Sequence, residues 1–259
     1  MGNYTEISYD VEGHVGVITL RRPEARNALT FTTYAELEDA VRTTKERCLV
    51  ITGEDPAFCS GDDVKQIMVN ASKSTTENLE RKPRLTPAAD ALLHTDVPVV
   101  AAVNGAAVGW GMELALMADI RVASEKAKMG ELFVLRGLVS DAPGLGRLAQ
   151  IVGREKAAEM LFTGEVLAGE ALLAARLVSR VVPHDQLLPT AMEVAGRIAA
   201  NPPLAVQSLK AGLRKALDPD WNELGTWVSS TLGRLFQTED HKEGVASFLE
   251  KRPAQYVGR

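Results

Sequence analysis

The sequence predicts an α/β fold of at least partly parallel strands followed by a helical C-terminal region, and three observations predict it. Short apolar runs rich in β-branched residues recur at 15–20, 48–52, 97–103 and 119–123. Helix-period segments fall between them, the alternation from which parallel sheets covered by helices are built. Beyond about Arg154 the periodicity is helical.

The first run closes at Arg21-Arg22-Pro23 and the second at Gly53, and residues 33–47 between them carry Leu37, Ala40 and Val41 at helical spacing on a charged surface. The third run ends at Asn104-Gly105. An apolar helix over 112–117 then leads to the fourth. Between Asn70 and Pro87 the chain turns polar, with Arg81, Lys82 and Arg84 clustered, and reads as a loop or frayed helix. Helices are expected at 155–162, 169–175, 187–200, 203–216, 221–236 and 238–251. The expected division is a core over 1–196 and a helical oligomerisation region over 197–259. Trp221, Trp227, Leu232 and Phe236 of that region are expected to bury against neighbouring subunits.

Composition narrows the function. Of 259 residues 46% are hydrophobic and 24% charged, enough for one sizeable core. The net charge of −5 is spread along the chain without a basic block, so nucleic acid is not an expected partner. Cys48 and Cys59 form no Cys-x-x-Cys pair, and no histidine lies at metal-ligand spacing from them, so no metal is expected. With no cationic apolar leader and no membrane-length run, a soluble cytoplasmic protein is expected. His14, His94, His184 and His241 are scattered and no Gly-x-Ser-x-Gly elbow occurs, which disfavours a hydrolase triad. Cys59 is expected to be a buried small hydrophobe.

Two glycine-bearing turns each follow an apolar strand and precede a helix, a geometry that aims backbone N–H groups above the strand ends. They are Ala57-Phe58-Cys59-Ser60-Gly61-Asp62-Asp63-Val64 and Asn104-Gly105-Ala106-Ala107-Val108-Gly109-Trp110-Gly111-Met112-Glu113. Neither matches a nucleotide motif. Together, in this order and spacing, they resemble the crotonase (enoyl-CoA hydratase/isomerase) superfamily. Leu20 to Leu29, Pro98 to Asn104, Ala118 to Arg121, Gly153 to Gly164 and Phe248 to Pro253 extend the resemblance over nearly the whole chain.

The resemblance implies repeated β-β-α units forming a spiral with a C-terminal helical region, assembled as a trimer or dimer of trimers. It implies hydration or isomerisation of an unsaturated acyl-CoA, with coenzyme A entering as part of the substrate and no permanently bound cofactor. A thioester enolate would rest on the backbone N–H groups of Asp62 and Trp110. Coenzyme A contacts are implied at Arg22, Ala25, Arg26, Ser60, Asp62, Asp63, Lys65 and Lys251. Two rivals stand beside this reading: a hydrolase of the same fold cleaving a C–C or thioester bond, and a non-catalytic acyl-CoA-binding paralogue.

The departures are informative. Trp110 replaces a glycine, and its side chain either narrows the acyl pocket or packs into core or a subunit contact. Asp62 stands where a small residue is common; its carboxylate is expected to point away, capping the next helix. Glu113, set in an apolar helix, takes the first catalytic carboxylate position and is assigned as general base. Phe133 stands where a hydratase keeps a second glutamate. Asp141 matches the second carboxylate of dienoyl-CoA isomerases, and it is expected to face Glu113 across the pocket or to be a turn residue before Ala-Pro-Gly. Glu131 is expected to be exposed or to start a helix.

Overall fold

A computed structural model describes residues 4–68, 85–217 and 220–255. Strands β1 (Ile7–Glu12) and β2 (Val15–Leu20) form an antiparallel pair turned at Gly13. From β2 the sheet grows by parallel pairing through β3 (Cys48–Gly53), β5 (Val99–Val103), β7 (Ile120–Ser124) and β10 (Arg180–Val182) to six strands. Strands β3 and β5 are buried at every residue, which is why their sequence runs are apolar without alternation. One sheet face packs on α7 (Leu187–Ala199) through Ala191 and Ala195. The other meets α1 (Phe31–Thr43), α2 (Pro87–His94) and α3 (Trp110–Met117) in the larger core.

A second sheet of four three-residue strands holds β4 (Ala57–Cys59), β6 (Ala106–Val108), β8 (Lys128–Gly130) and β9 (Val166–Ala168). Successive long strands β3, β5 and β7 each hand the chain to a short strand of this sheet and then to a helical segment. The segments are a π-helical turn at Val64–Met68, helix α3, and helix α4 (Ala142–Val152) after a 3-10 turn at Phe133–Arg136. These are the expected ββα repeats. Helices α5 (Arg154–Thr163) and α6 (Glu170–Ala174) complete the core.

The expected core boundary after residue 196 falls inside α7, whose Ala199 is still buried. Beyond it lie α8 (Pro203–Leu217), α9 (Trp221–Leu235) and α10 (Glu239–Glu250). They are tied to their own chain: Lys210 Nζ donates to Val97 O and Asp119 Oδ2, both at 2.8 Å, and Arg214 donates to Thr95 O. Of the side chains expected to bury against neighbouring subunits, Trp221 is buried in its own chain beside Gly146, and Leu232 and Phe236 are partly buried against the core of that chain. Trp227 remains 51% exposed. Among the described residues no helix is long and apolar enough to cross a membrane, and no group of His, Cys, Asp or Glu is arranged to hold a metal. Arg81, Lys82 and Arg84 lie outside the described residues.

Candidate active site

The two glycine turns meet. Gly61, with φ +87°, lies against the second turn so closely that a Cβ there would stand 2.9 Å from Val108 O and 3.3 Å from Trp110 N. Gly111 is packed tighter still, since its Cβ would stand 2.1 Å from Cys59 O. A side chain at either position would drive the turns apart. On the other side of the first turn, Leu29 N donates to Gly61 O and Asp63 N donates to Leu29 O, a parallel bridge that alternation turns the Asp62 N–H away from. Gly109 enters α3 with φ +55°, its own N–H held by Gly130 O at 3.0 Å, and Trp110 N lies in the first turn, where no intrahelical acceptor exists.

Four carboxyl groups gather beside these turns. Glu113, one turn into α3, is wholly buried; its Oε1 accepts the Asp141 N–H at 2.8 Å. Burial first, then the charges of Asp141 and Glu131, hold its pKa well above the usual range. Glu131 is 1% exposed, accepts the Ser140 hydroxyl at 3.3 Å, and is pushed by burial to about 8. This corrects the expectation of an exposed residue: Gly130 pairs with Val108 and thereby carries Glu131 into the core beside Glu113.

Asp141 occupies the N-cap of α4 but makes no capping bond, which leaves its carboxyl to the interior. Burial and the neighbouring Asp62 raise it to about 7, opposed by the indole N–H of Trp110, which approaches it without the geometry of a full hydrogen bond. Asp62 is raised by burial to about 6, opposed by the Tyr34 hydroxyl that donates to it at 2.6 Å. The capping expected of Asp62 falls instead to Asp63, whose Oδ1 accepts Lys65 N and Gln66 N. The Asp62 carboxyl points inward, to Tyr34.

Asp62, Asp141 and Tyr34 stand on the wall of a cavity of about 420 Å³ whose remaining lining is largely apolar, including Phe31, Ile67, Leu85, Pro143, Val228 and Leu232. Glu113 is buried, its Oε1 held by the Asp141 backbone N–H, and does not line this cavity, so the two carboxyls do not face each other across it. The Trp110 indole is 1% exposed, packed edge-on to Tyr34 at 4.7 Å, and belongs to the core rather than the cavity wall. Phe133 is 8% exposed, with its ring beside Gly109.

Of the residues matched to coenzyme A binding, six are assembled around the first turn. Ser60 N donates to Arg26 O and Ser60 Oγ to Ala25 O, while Arg22 bridges Asp63, Glu6 and Ala28 O, and Asp62 pairs with Leu29. Lys65 follows on the exposed π turn. Lys251 stands elsewhere, in the left-handed C-cap of α10, a helix packed on the 133–136 turn.

Cys59 is buried with its thiol raised to about 12, which removes it as a nucleophile. One arrangement escaped sequence reasoning: Ser124 Oγ meets His184 Nδ1 at 3.0 Å, and His184 Nε2 meets Asp55 Oδ2 at 2.9 Å. Ser124 has no solvent exposure, so this series ties β7 to the 54–56 turn and offers no accessible nucleophile.

The family model described as enoyl-CoA hydratase/isomerase matches residues 10–259. The chain is 33% identical to a crotonyl-CoA hydratase of Syntrophomonas wolfei over 99% of both chains. It is 34% identical to a 2,3-dehydroadipyl-CoA hydratase of Escherichia coli over 98% of this chain and 100% of the relative. A crystal structure of an enoyl-CoA hydratase/isomerase from Pseudoalteromonas atlantica superposes with a TM-score of 0.87 at 26% identity, covering 98% of this chain and 100% of that one.

Proposed function

Because the chain belongs to the enoyl-CoA hydratase/isomerase (crotonase) family and is an enzyme of unsaturated acyl-CoA thioesters, we propose that it holds the thioester carbonyl on the backbone N–H groups of Asp62 and Trp110 and moves protons with Glu113 and Asp141. The observation that carries this assignment is the contact between the two glycine turns with a layer of buried acids, raised above the usual carboxylate range, beside it. Removing an α-proton, or adding water at the β-carbon, places negative charge on the thioester oxygen. Each fixed donor aimed there is worth about 3 kcal/mol, and the N-terminal field of α3 adds to the second one.

Glu113 serves as base on the side of Trp110, one helical turn from that donor. Asp141, at about 7 on the cavity wall, holds or gives a proton near neutral pH and returns it at a more distant carbon. With Phe133 in place of a second glutamate, this arrangement favours isomerisation of conjugated acyl chains over water addition. The apolar cavity receives the acyl group, and coenzyme A runs along Arg22, Ala25, Arg26, Ser60, Asp63 and Lys65, with Lys251 as a further contact. The enzyme works as a trimer or dimer of trimers in the cytoplasm, a setting that suits two unbridged cysteines.

Incubation with 2-enoyl-, 3-enoyl- and 2,4-dienoyl-CoA followed by mass spectrometry and ultraviolet spectra tests the reading. Isomerisation shifts the chromophore at constant mass, whereas hydration adds the mass of water. No change in any of the three classes overturns it.

A further inference from the structure

Glu131 has no part in the scheme above, yet it is among the most deeply buried carboxyls and borders the same space as Glu113. A Cβ on Gly144 would stand 2.5 Å from Glu113 Oε1 and 3.1 Å from Glu131 Oε1, so the absent side chain of Gly144 is what lets the two groups approach. Glu113 Oε2 and Glu131 Oε1 are both sealed from solvent and lack a hydrogen-bond partner. Their other oxygens are fixed by consecutive residues, Glu131 Oε2 by the Ser140 hydroxyl and Glu113 Oε1 by the Asp141 N–H. The charged groups facing the pair from the surrounding elements are acids: Asp141 ahead of α4, and Asp62 after β4 with Tyr34 of α1 bonded to it.

Two carboxylates in one dry chamber repel each other, and one proton held between them removes that repulsion and satisfies an otherwise orphaned oxygen. The Ser140 hydroxyl favours the anion on Glu131 and the Asp141 N–H favours it on Glu113, while the field of the first turn of α3 acts on Glu113 alone, which leaves Glu131 as the group that keeps the proton. We propose that Glu131 is a positioning residue that shares a single proton with Glu113, so that the pair carries one negative charge and Glu113 stays ionised for its work as base. When Glu113 takes a proton from the substrate, the pair holds two protons and no charge; returning one to the product restores the starting state, with only O–H and C–H bonds changed. The kinetic part of this inference rests on the proposed role of Glu113, whereas the shared proton stands without it.

Two measurements test it. In infrared spectra of the free protein at about pH 7, Glu131→Gln should remove one buried protonated-carboxyl band; an unchanged set of bands overturns the proposal. In the pH profile of kcat, the wild type should lose activity on the alkaline side in two steps, one near pH 7 as Asp141 ionises and a higher one as the shared proton leaves. Glu131→Gln donates through its amide and cannot ionise, so it should keep the first step and lack the higher one, and Glu131→Leu, which cannot donate, should shift the acidic limb upward and lower kcat by more than the Gln variant does. A higher step retained in Glu131→Gln overturns the proposal, and this isosteric variant decides the matter should the Leu variant fail to fold. If no acyl-CoA is turned over, the proposed function falls and the infrared result alone decides whether the proton is shared.

Discussion

Replacing Asp141 by Asn separates what this residue gives to rate from what it costs the fold. Burial, reinforced by Asp62, carries its carboxyl from 3.8 to about 7. That is about three pH units at ~1.4 kcal/mol each, so the ionised residue costs the folded state roughly 4 kcal/mol relative to the unfolded chain. Because the folded pKa is the raised one, the cost is absent below about pH 4, grows as pH climbs, and is complete only above about pH 7. The amide carries no such cost. Asp141→Asn should therefore melt with the wild type at about pH 4 and progressively above it toward pH 8, by several degrees at ~2–4 °C per kcal/mol for a chain of this size. Circular dichroism melts at intervals between those values read the gap directly. Over the same range turnover should fall by ~10²–10⁴-fold, the usual worth of a general acid–base group. Melting curves that stay parallel at all pH values, or full activity on every acyl-CoA, would refute the assignment of Asp141 as a buried proton carrier.

Tyr34→Phe removes the hydroxyl that donates to Asp62 at 2.6 Å. Without that bond, which opposes the effect of burial, the Asp62 carboxyl should titrate above its present value of about 6. Carbon-detected NMR of the side chain checks the direction, and an unmoved or lowered titration contradicts it. Light scattering at micromolar concentration should give the mass of a trimer or hexamer, supported by the outward-facing Leu204, Leu209 and Leu213 of α8; a monomer contradicts the proposed assembly.

Strands β2, β3, β5 and β7 are legible in the sequence because their runs are rich in apolar and β-branched residues, whereas the outer β1, exposed at Asp10, Val11 and Glu12, and the three-residue β10 are not. The second sheet is not, since three residues are too few to establish a period and its pairings join segments far apart in the chain. Helix α4 hides behind Asp141-Ala142-Pro143-Gly144, which reads as a turn; the proline sits in the first helical turn, where it is tolerated, and the glycine is required by Glu113. The glycine turns and Glu113 stood out through local context, and Asp141 through the family resemblance alone. Glu131 carried a weaker signal, a charged residue between Gly130 and the apolar Leu132 and Phe133, but its neighbour is brought in only by the pairing of β6 with β8. The inward turn of Asp62 was equally invisible, because the Tyr34 that receives it comes from a helix earlier in the chain.

The cavity is built from two sources that answer to different demands. Its acids come from the turn after β4 and the N-cap of α4, with Glu113 of α3 buried nearby, whereas α1, the start of α2 and α9 supply the rest of the wall, the last through Gly225, Val228 and Leu232. A substitution among the acids strikes at the chemistry itself. One on α9 alters only the room left for the acyl group, and Gly225, where a methyl would come within 3.1 Å of Leu85, marks how little slack there is. Such a division lets a lineage trade one thioester for another through a few changes on a single late helix, while the inherited reaction is carried forward intact.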